Sequence, residues 1–150
     1  MKDSIVVESG GPPDFEQLLV LIRMYYEYDD IPFAEDRARP AIARLLADPV
    51  VGRIWIMRDQ DLAIGYVVAT FGFDFEFAGR DMTVTDVFLK EEYRGRRLGR
   101  RLLATVDAFC RIEKIAAIHL QVVHGNDRAR AFYEKLGFVA HDRTAMTRWL

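Results

Sequence analysis

Hydrophobic and polar positions change period several times along this chain, and each change marks an element. The short apolar run in "SIVVE" predicts a strand, and "DFEQLLVLIRMYYEY" then sets Leu18, Leu21, Ile22 and Tyr25 on one stripe. That spacing belongs to an amphipathic helix, with Asp14 as its cap and a stop between Asp29 and Pro32. A second helix is predicted over "EDRARPAIARLLA", its regular part beginning at Pro40, since an internal proline removes a ladder bond and crowds the preceding turn. Three extended segments follow, "GRIWIMR", "AIGYVVATFGFDFEF" and "MTVTDVFLK". The turn-forming "DQD" and "AGRD" separate them, which predicts an antiparallel meander. Phe71, Phe73, Phe75 and Phe77 alternate with Gly72, Asp74 and Glu76, so the rings are expected on one face. From Gly95 the helical period returns through Leu98, Leu102, Val106, Phe109 and Cys110. A strand "AIHLQVV", a helix "DRARAFYEKL" stopped by Gly137, and a strand pair across "FVAHDRTAMTRWL" complete the order β-α-α-β-β-β-α-β-α-β-β. The expectation is an α/β fold, a single domain over residues 1–150 with a mixed, mainly antiparallel sheet flanked by helices.

Composition narrows the partners. A chain of 150 residues that is 51% hydrophobic is long enough for one real core. The formal net charge is -2, although "EEYRGRRLGRRLL" concentrates Arg94, Arg96, Arg97, Arg100 and Arg101. A basic cluster on a mildly acidic protein suits a local anion site and speaks against a nucleic-acid partner. The lone Cys110 excludes an internal disulfide and falls on an apolar stripe, as a core residue rather than an acyl carrier. His119, His124 and His141 lack metal-ligand spacing, so no metal is expected. "MKDSIVVESGG" is too polar for a signal peptide and no window approaches the roughly 18 apolar residues of a membrane span. No membrane partner is expected, and the compartment is the cytoplasm by default.

The basic segment follows the strand "TVTDVFLK" and opens a helix at about Gly95. A helix start carries unsatisfied N–H groups and a partial positive charge, and two glycines let a bulky anion approach the backbone. The segment spells G-x-x-x-G, neither the dinucleotide fingerprint nor the Walker loop. It is a phosphate cradle, or the glycines serve helix packing and the arginines form a solvated face.

Read with "NDRARAFYEKLGF", the segment "DVFLKEEYRGRRLGRRLL" resembles the GCN5-related N-acetyltransferase (GNAT) superfamily. The later family pattern N-x-x-A-x-x-[LF]-Y-x-x-x-G-F is met by Asn126, Ala129, Phe132, Tyr133, Gly137 and Phe138. In the cofactor loop Arg94 and Gly99 match, while Arg97 stands at the family's first glycine position. A helical residue there still supplies its N–H with the side chain outward.

The resemblance implies an acetyl-CoA-dependent transferase without a metal. The pyrophosphate would lie on Gly95, Arg96, Arg97, Leu98, Gly99 and Arg100, with Arg94 beside it and Arg101 at the surface. The pantetheine would pair with Val87, Phe88 and Leu89, and the Leu89 N–H would stabilise the oxyanion. Asn126 would hold the cofactor or an adjacent carbonyl, and Tyr133 would protonate the departing thiolate. Asp86 is the first candidate for the base that deprotonates the amine, Glu76 the second, and His124 is either a relay or a surface loop residue.

The family's first helices help wall the acceptor site, which directs attention to "YYEYDDIPF". Tyr26, Asp29 and Asp30, with Glu76, are the substrate-binding candidates for a cationic small-molecule amine; the same residues also suit an ordinary helix end with rings inside and acids in water. Acetylation of a protein N-terminus or lysine, and a non-catalytic acyl-CoA sensor, stay open as alternatives. A homodimer is a family-level expectation.

Overall fold

In a computed structural model of the chain, which describes residues 4–150, the alternating segments pair into a five-stranded sheet. Its strands, β1 (Ile5–Ser9), β2 (Gly52–Asp59), β3 (Leu62–Asp74), β4 (Gly79–Leu89) and β5 (Ala117–His119), lie side by side in chain order. β1 to β4 are antiparallel neighbours; β5 runs parallel to β4 through Asp81↔Ala117, Met82↔Ile118 and Thr83↔His119. The helices are α1 (Phe15–Tyr28), α2 (Glu35–Ala47), α3 (Leu98–Ile112) and α4 (Asp127–Glu134). The fold is α/β with a mixed, mostly antiparallel sheet. The described chain forms two compact units, one ending at Leu120 and one spanning Gln121–Leu150. Among the described residues, no helix is long and apolar enough to cross a membrane.

In the first unit the sheet buries both faces. Leu18, Leu19, Leu21 and Ile22 of α1 and Ile42 and Leu46 of α2 pack with Ile54, Ile56, Tyr66, Val68 and Phe88 in one cluster. The α3 stripe of Leu98, Leu102, Leu103, Val106 and Cys110 is buried. It meets the sheet where Phe109 stands edge-on to Trp55 at 5.2 Å and Cys110 Sγ lies 3.6 Å from Met82 Sδ. Burial pushes the Cys110 thiol up to about 11, which keeps it protonated and unreactive, as a core residue should be.

Several boundaries differ from expectation. α2 runs straight through Pro40, whose ring sits exposed in the second turn, where the one ladder bond removed is that to the Asp36 carbonyl. The turn before it is held from outside: Glu35 pairs with Arg23 of α1 and with Arg39, and Arg39 also reaches Glu16 at 3.2 Å. The aromatic alternation stops at Asp74, and Phe75–Phe77 form a 3₁₀ turn held by the Glu76 N–H donating to Asp74 Oδ1. β5 keeps three residues of the longer strand expected there. In the second unit α4 stops at a glycine as predicted: Gly137 has φ +94 and the Phe138 N–H donates to the Tyr133 carbonyl at 3.1 Å. The expected strand pair over residues 138–150 is absent, because neither alternate face of that segment is apolar along its length and a ladder there has no face to bury.

Candidate active site

The site begins with a one-residue irregularity in β4. Ala69 pairs with Val84 but Val68 pairs with Asp86, so Thr85 is an extra residue, a β-bulge. Side chains alternate with period 2, and without the bulge Asp86 would follow Met82 and Val84 onto the α3 face. The extra residue turns it to the α1 face, in register with Val68 and beside the Tyr66↔Phe88 pair. A carboxylate is thereby set into an apolar, aromatic wall.

That wall is built from tyrosines and phenylalanines at closing distances. Phe88 has Tyr66 and Tyr25 each at 6.1 Å between ring centroids, Tyr26 stands edge-on to Tyr25 at 5.6 Å, and Phe33 meets Tyr26 at 5.3 Å. Burial, and secondarily the charge of Asp29, raise the Asp86 carboxyl to about 6. The Tyr25 phenol is raised by burial first and then by the charges of Asp86 and Asp29; Tyr26 is raised by burial and Asp86. Tyr66 is fully buried with a hydroxyl that has no partner among the described residues, and its phenol too is raised by burial and by the charge of Asp86.

Beside this aromatic wall lies an open backbone edge. Lys90 donates its N–H to the Ile64 carbonyl of β3 at 2.9 Å, so alternation points the Leu89 N–H and C=O away from β3. On that side β5 has already stopped at Thr83, and among the described residues no strand pairs with β4 from Val84 to Leu89. Gly65 is what brings β3 this close: a Cβ there would lie 2.7 Å from the Phe88 carbonyl oxygen.

The basic loop follows. A 3₁₀ turn (Glu91–Tyr93) leads to Gly95 at φ +77, and α3 starts at Leu98 rather than at Gly95. Arg97 is not the helical residue expected there but the left-handed residue before the helix, φ +61, in the region where glycine is easiest. No side chain caps α3 and its first turn has no acid, so the N–H groups at its start are available to an anion.

The arginines have distinct surroundings. Arg94 donates Nε to the Leu89 carbonyl at 2.9 Å and covers the Tyr28 ring at 4.2 Å, which braces the loop against the strand end. Arg96 lies over Tyr93 at 5.3 Å. Arg97 and Arg100 are exposed, and Arg101 donates to the Ile5 carbonyl at 2.6 Å.

Of the residues proposed from sequence, Asp86, Val87, Phe88, Leu89, Tyr26 and Asp29 come together around the α1 end and the β4 edge. Asp30 is exposed one residue further on, at φ +53. Glu76 is not among them. It sits in the turn at the far end of the β3–β4 hairpin, and the seven strand steps from Gly79 to Asp86 alone span roughly 23 Å. In the second unit, Asn126 accepts from the Ala129 N–H at 3.1 Å and so caps α4, leaving its amide nitrogen for other work. Tyr133 is half-buried between Phe132 at 5.2 Å and Phe138 at 5.8 Å, and burial raises its phenol. His124 is exposed. The sequence reading missed Tyr66 and the bulge at Thr85. A tyrosine inside the apolar run "AIGYVVAT" was the one visible signal. Among the described residues, no group of three or more His, Cys, Asp or Glu could hold a metal.

Comparison with known proteins gives this geometry a context. The model of the acetyltransferase (GNAT) family matches residues 16–138. Thialysine N-epsilon-acetyltransferase of Bos taurus is 29% identical over 160 residues, covering 97% of this chain and 89% of the relative. An integron cassette protein from the mobile metagenome of Cole Harbour Salt Marsh superposes with a TM-score of 0.85 at 28% identity, over 96% of this chain and 90% of that one. A possible acetyltransferase from Clostridium difficile 630 superposes with a TM-score of 0.86 at 19% identity, over 97% of each chain.

Proposed function

Because the chain belongs to the acetyltransferase (GNAT) family, an acetyl-CoA-dependent acyltransferase family, we propose that it moves acetyl to the primary amine of a small-molecule acceptor by direct attack. The observation that carries this is Asp86, set by the Thr85 bulge into an aromatic wall next to an unpaired strand edge, with its carboxyl raised to about 6. A base poised near the working pH accepts a proton from an ammonium and is still largely ionised at pH 7. Asp86 takes one proton from the ammonium; the neutral nitrogen then forms its bond to the acetyl carbon and releases a second proton to solvent as the intermediate collapses. The Leu89 N–H stabilises the oxyanion, and the C–S bond then breaks. By the family resemblance the leaving thiolate takes its proton from Tyr133, whose raised phenol stays protonated at neutral pH. The residues at the α3 start, Gly95 to Arg100, would hold the pyrophosphate of acetyl-CoA, with Arg94 fixing the loop they belong to. Support for a small amine rather than a peptide comes from a relative named for acetylating thialysine, and the rings of Tyr25, Tyr26 and Phe88 beside Asp86 suit an ammonium. A thiol-release screen with acetyl-CoA across amines, amino acids and peptides tests this. Release dependent on small amines is the expected result, and release only with peptides would replace it.

A further inference from the structure

Two residues of the basic loop stand in the left-handed region in quick succession, Gly95 at φ +77 and Arg97 at φ +61. Glycine adopts that conformation freely. A residue with a side chain is disfavoured there and persists only where the surrounding structure over-determines it. The turn that delivers the chain to the uncapped start of α3 therefore has to be held from outside.

Holding contacts exist on both sides of the loop, and both reach one place. Before it, the Tyr93 hydroxyl donates to Asp59 Oδ2 at 3.1 Å, and the Arg96 guanidinium lies over the Tyr93 ring at 5.3 Å. After it, Arg101 in the first turn of α3 donates Nη2 to the Ile5 carbonyl at 2.6 Å, while its own N–H reaches back to the Arg97 carbonyl at 3.4 Å. Ile5 and Asp59 are partners in the register of β1 and β2. That rung is itself tied, because Asp59 Oδ1 accepts from the Ser4 hydroxyl at 2.6 Å. Residues 94 to 100 are thus pinned on either side to a single rung at the edge of the sheet. Tyr93 and Arg101 are half-buried and lie outside the apolar core, so packing of the sheet does not account for these contacts.

We infer that Tyr93 and Arg101 are positioning residues for the cofactor: from either side of the loop they hold Gly95 and Arg97 in the conformation that presents the α3 N–H groups to the pyrophosphate. The inference rests on the cofactor placement proposed above and adds what keeps the loop ready before the cofactor arrives. Both residues act through the loop rather than on the ligand. Where the binding-competent conformation is only a fraction of the population, apparent affinity falls by that fraction.

Acetyl-CoA and acetyl-pantetheine separate this role from a general loosening of the fold, since only the first carries the pyrophosphate. Tyr93→Phe keeps the ring under Arg96, and Arg101→Met keeps an unbranched stem. Each should raise the dissociation constant for acetyl-CoA about 10-fold in a calorimetric titration, the result expected when the turn is formed in about one molecule in ten. Affinity for acetyl-pantetheine should stay as in the unmodified protein. Asp59→Ala should match Tyr93→Phe, whereas Asp59→Asn should bind acetyl-CoA like the unmodified protein, because an amide can accept from Tyr93 and donate to Ser4. Unchanged acetyl-CoA affinity in Tyr93→Phe or Arg101→Met, an equal loss for both ligands, or Asp59→Asn as weak as Asp59→Ala overturns the inference without touching the placement of the pyrophosphate. That placement falls on a different result, and the inference with it: no binding of acetyl-CoA by the unmodified protein, or equal binding of the two ligands.

Discussion

As the proposed base, Asp86 sets catalysis against the fold's stability, and the sign of each effect follows from its raised carboxyl. The ordinary value of 3.8 becomes about 6 in the folded protein. Below about pH 4 both folded and unfolded chains hold the proton and the residue exacts no penalty. As pH rises through 6, the folded chain must ionise a buried group that the unfolded chain ionised earlier, so stability falls by up to about 3 kcal/mol. Asp86→Asn is therefore expected to stabilise the protein by about 1–3 kcal/mol at pH 7 and by almost nothing at pH 4, measured by denaturant unfolding. The same variant should lose about 100-fold in kcat/KM and the rise in rate between pH 5 and 7 that a base near 6 produces. A variant that keeps that acidic limb removes Asp86 as the base. Tyr133 gives the complementary case. Tyr133→Phe should lower kcat about 10- to 100-fold with little change in acetyl-CoA affinity, and an unaltered rate across pH would free the residue of any part in the chemistry.

At the scale of elements, what could be read in advance was whatever a period reports. The stripes of α1 and α3 and the meander of β2 to β4 were legible as elements, α1 to within a residue, because each buries one regular face. The bulge did not, since one inserted residue leaves "TVTDVFLK" looking like an ordinary strand while exchanging the face on which Asp86 emerges. The start of α3 was misplaced for a related reason: glycines at 95 and 99 suggested a helix already under way, whereas Gly95 and Arg97 both adopt positive φ to turn the chain into it. That turn yields a prediction. A Cβ at Gly95 would meet nothing within 4 Å, so Gly95→Ala tests backbone conformation alone. At φ +77 an alanine is disfavoured by about 1–2 kcal/mol, and the loop should relax away from the geometry that presents the α3 N–H groups. Affinity for acetyl-CoA is expected to fall about 10-fold while secondary structure by circular dichroism is retained. Unchanged affinity would show that the pyrophosphate does not depend on this turn.

For the molecule as a whole, the balance of charge and the open strand edge lead to the same expectation about the cofactor. A net charge of -2 opposes a polyanion at long range, so binding has to come from short-range groups: N–H donors at the α3 start, the bordering arginines and the unpaired edge of β4. In the proposed binding mode these divide along the ligand, the helix start serving the pyrophosphate and the strand edge the pantetheine arm. At 100 times its dissociation constant a ligand specific to the folded state adds about 2.7 kcal/mol, which for a chain of this size raises Tm by roughly 5–10 °C. Acetyl-CoA is expected to produce a shift of that order at millimolar concentration, and acetyl-pantetheine, which lacks the pyrophosphate, a much smaller one. Raising the salt concentration should shrink the difference between the two only modestly, because contacts to backbone N–H groups at close range are screened far less than a diffuse basic patch. Equal shifts from the two ligands would place the recognition in the strand edge alone and make the arginine-rich loop a solvated surface, the bland alternative its sequence first allowed.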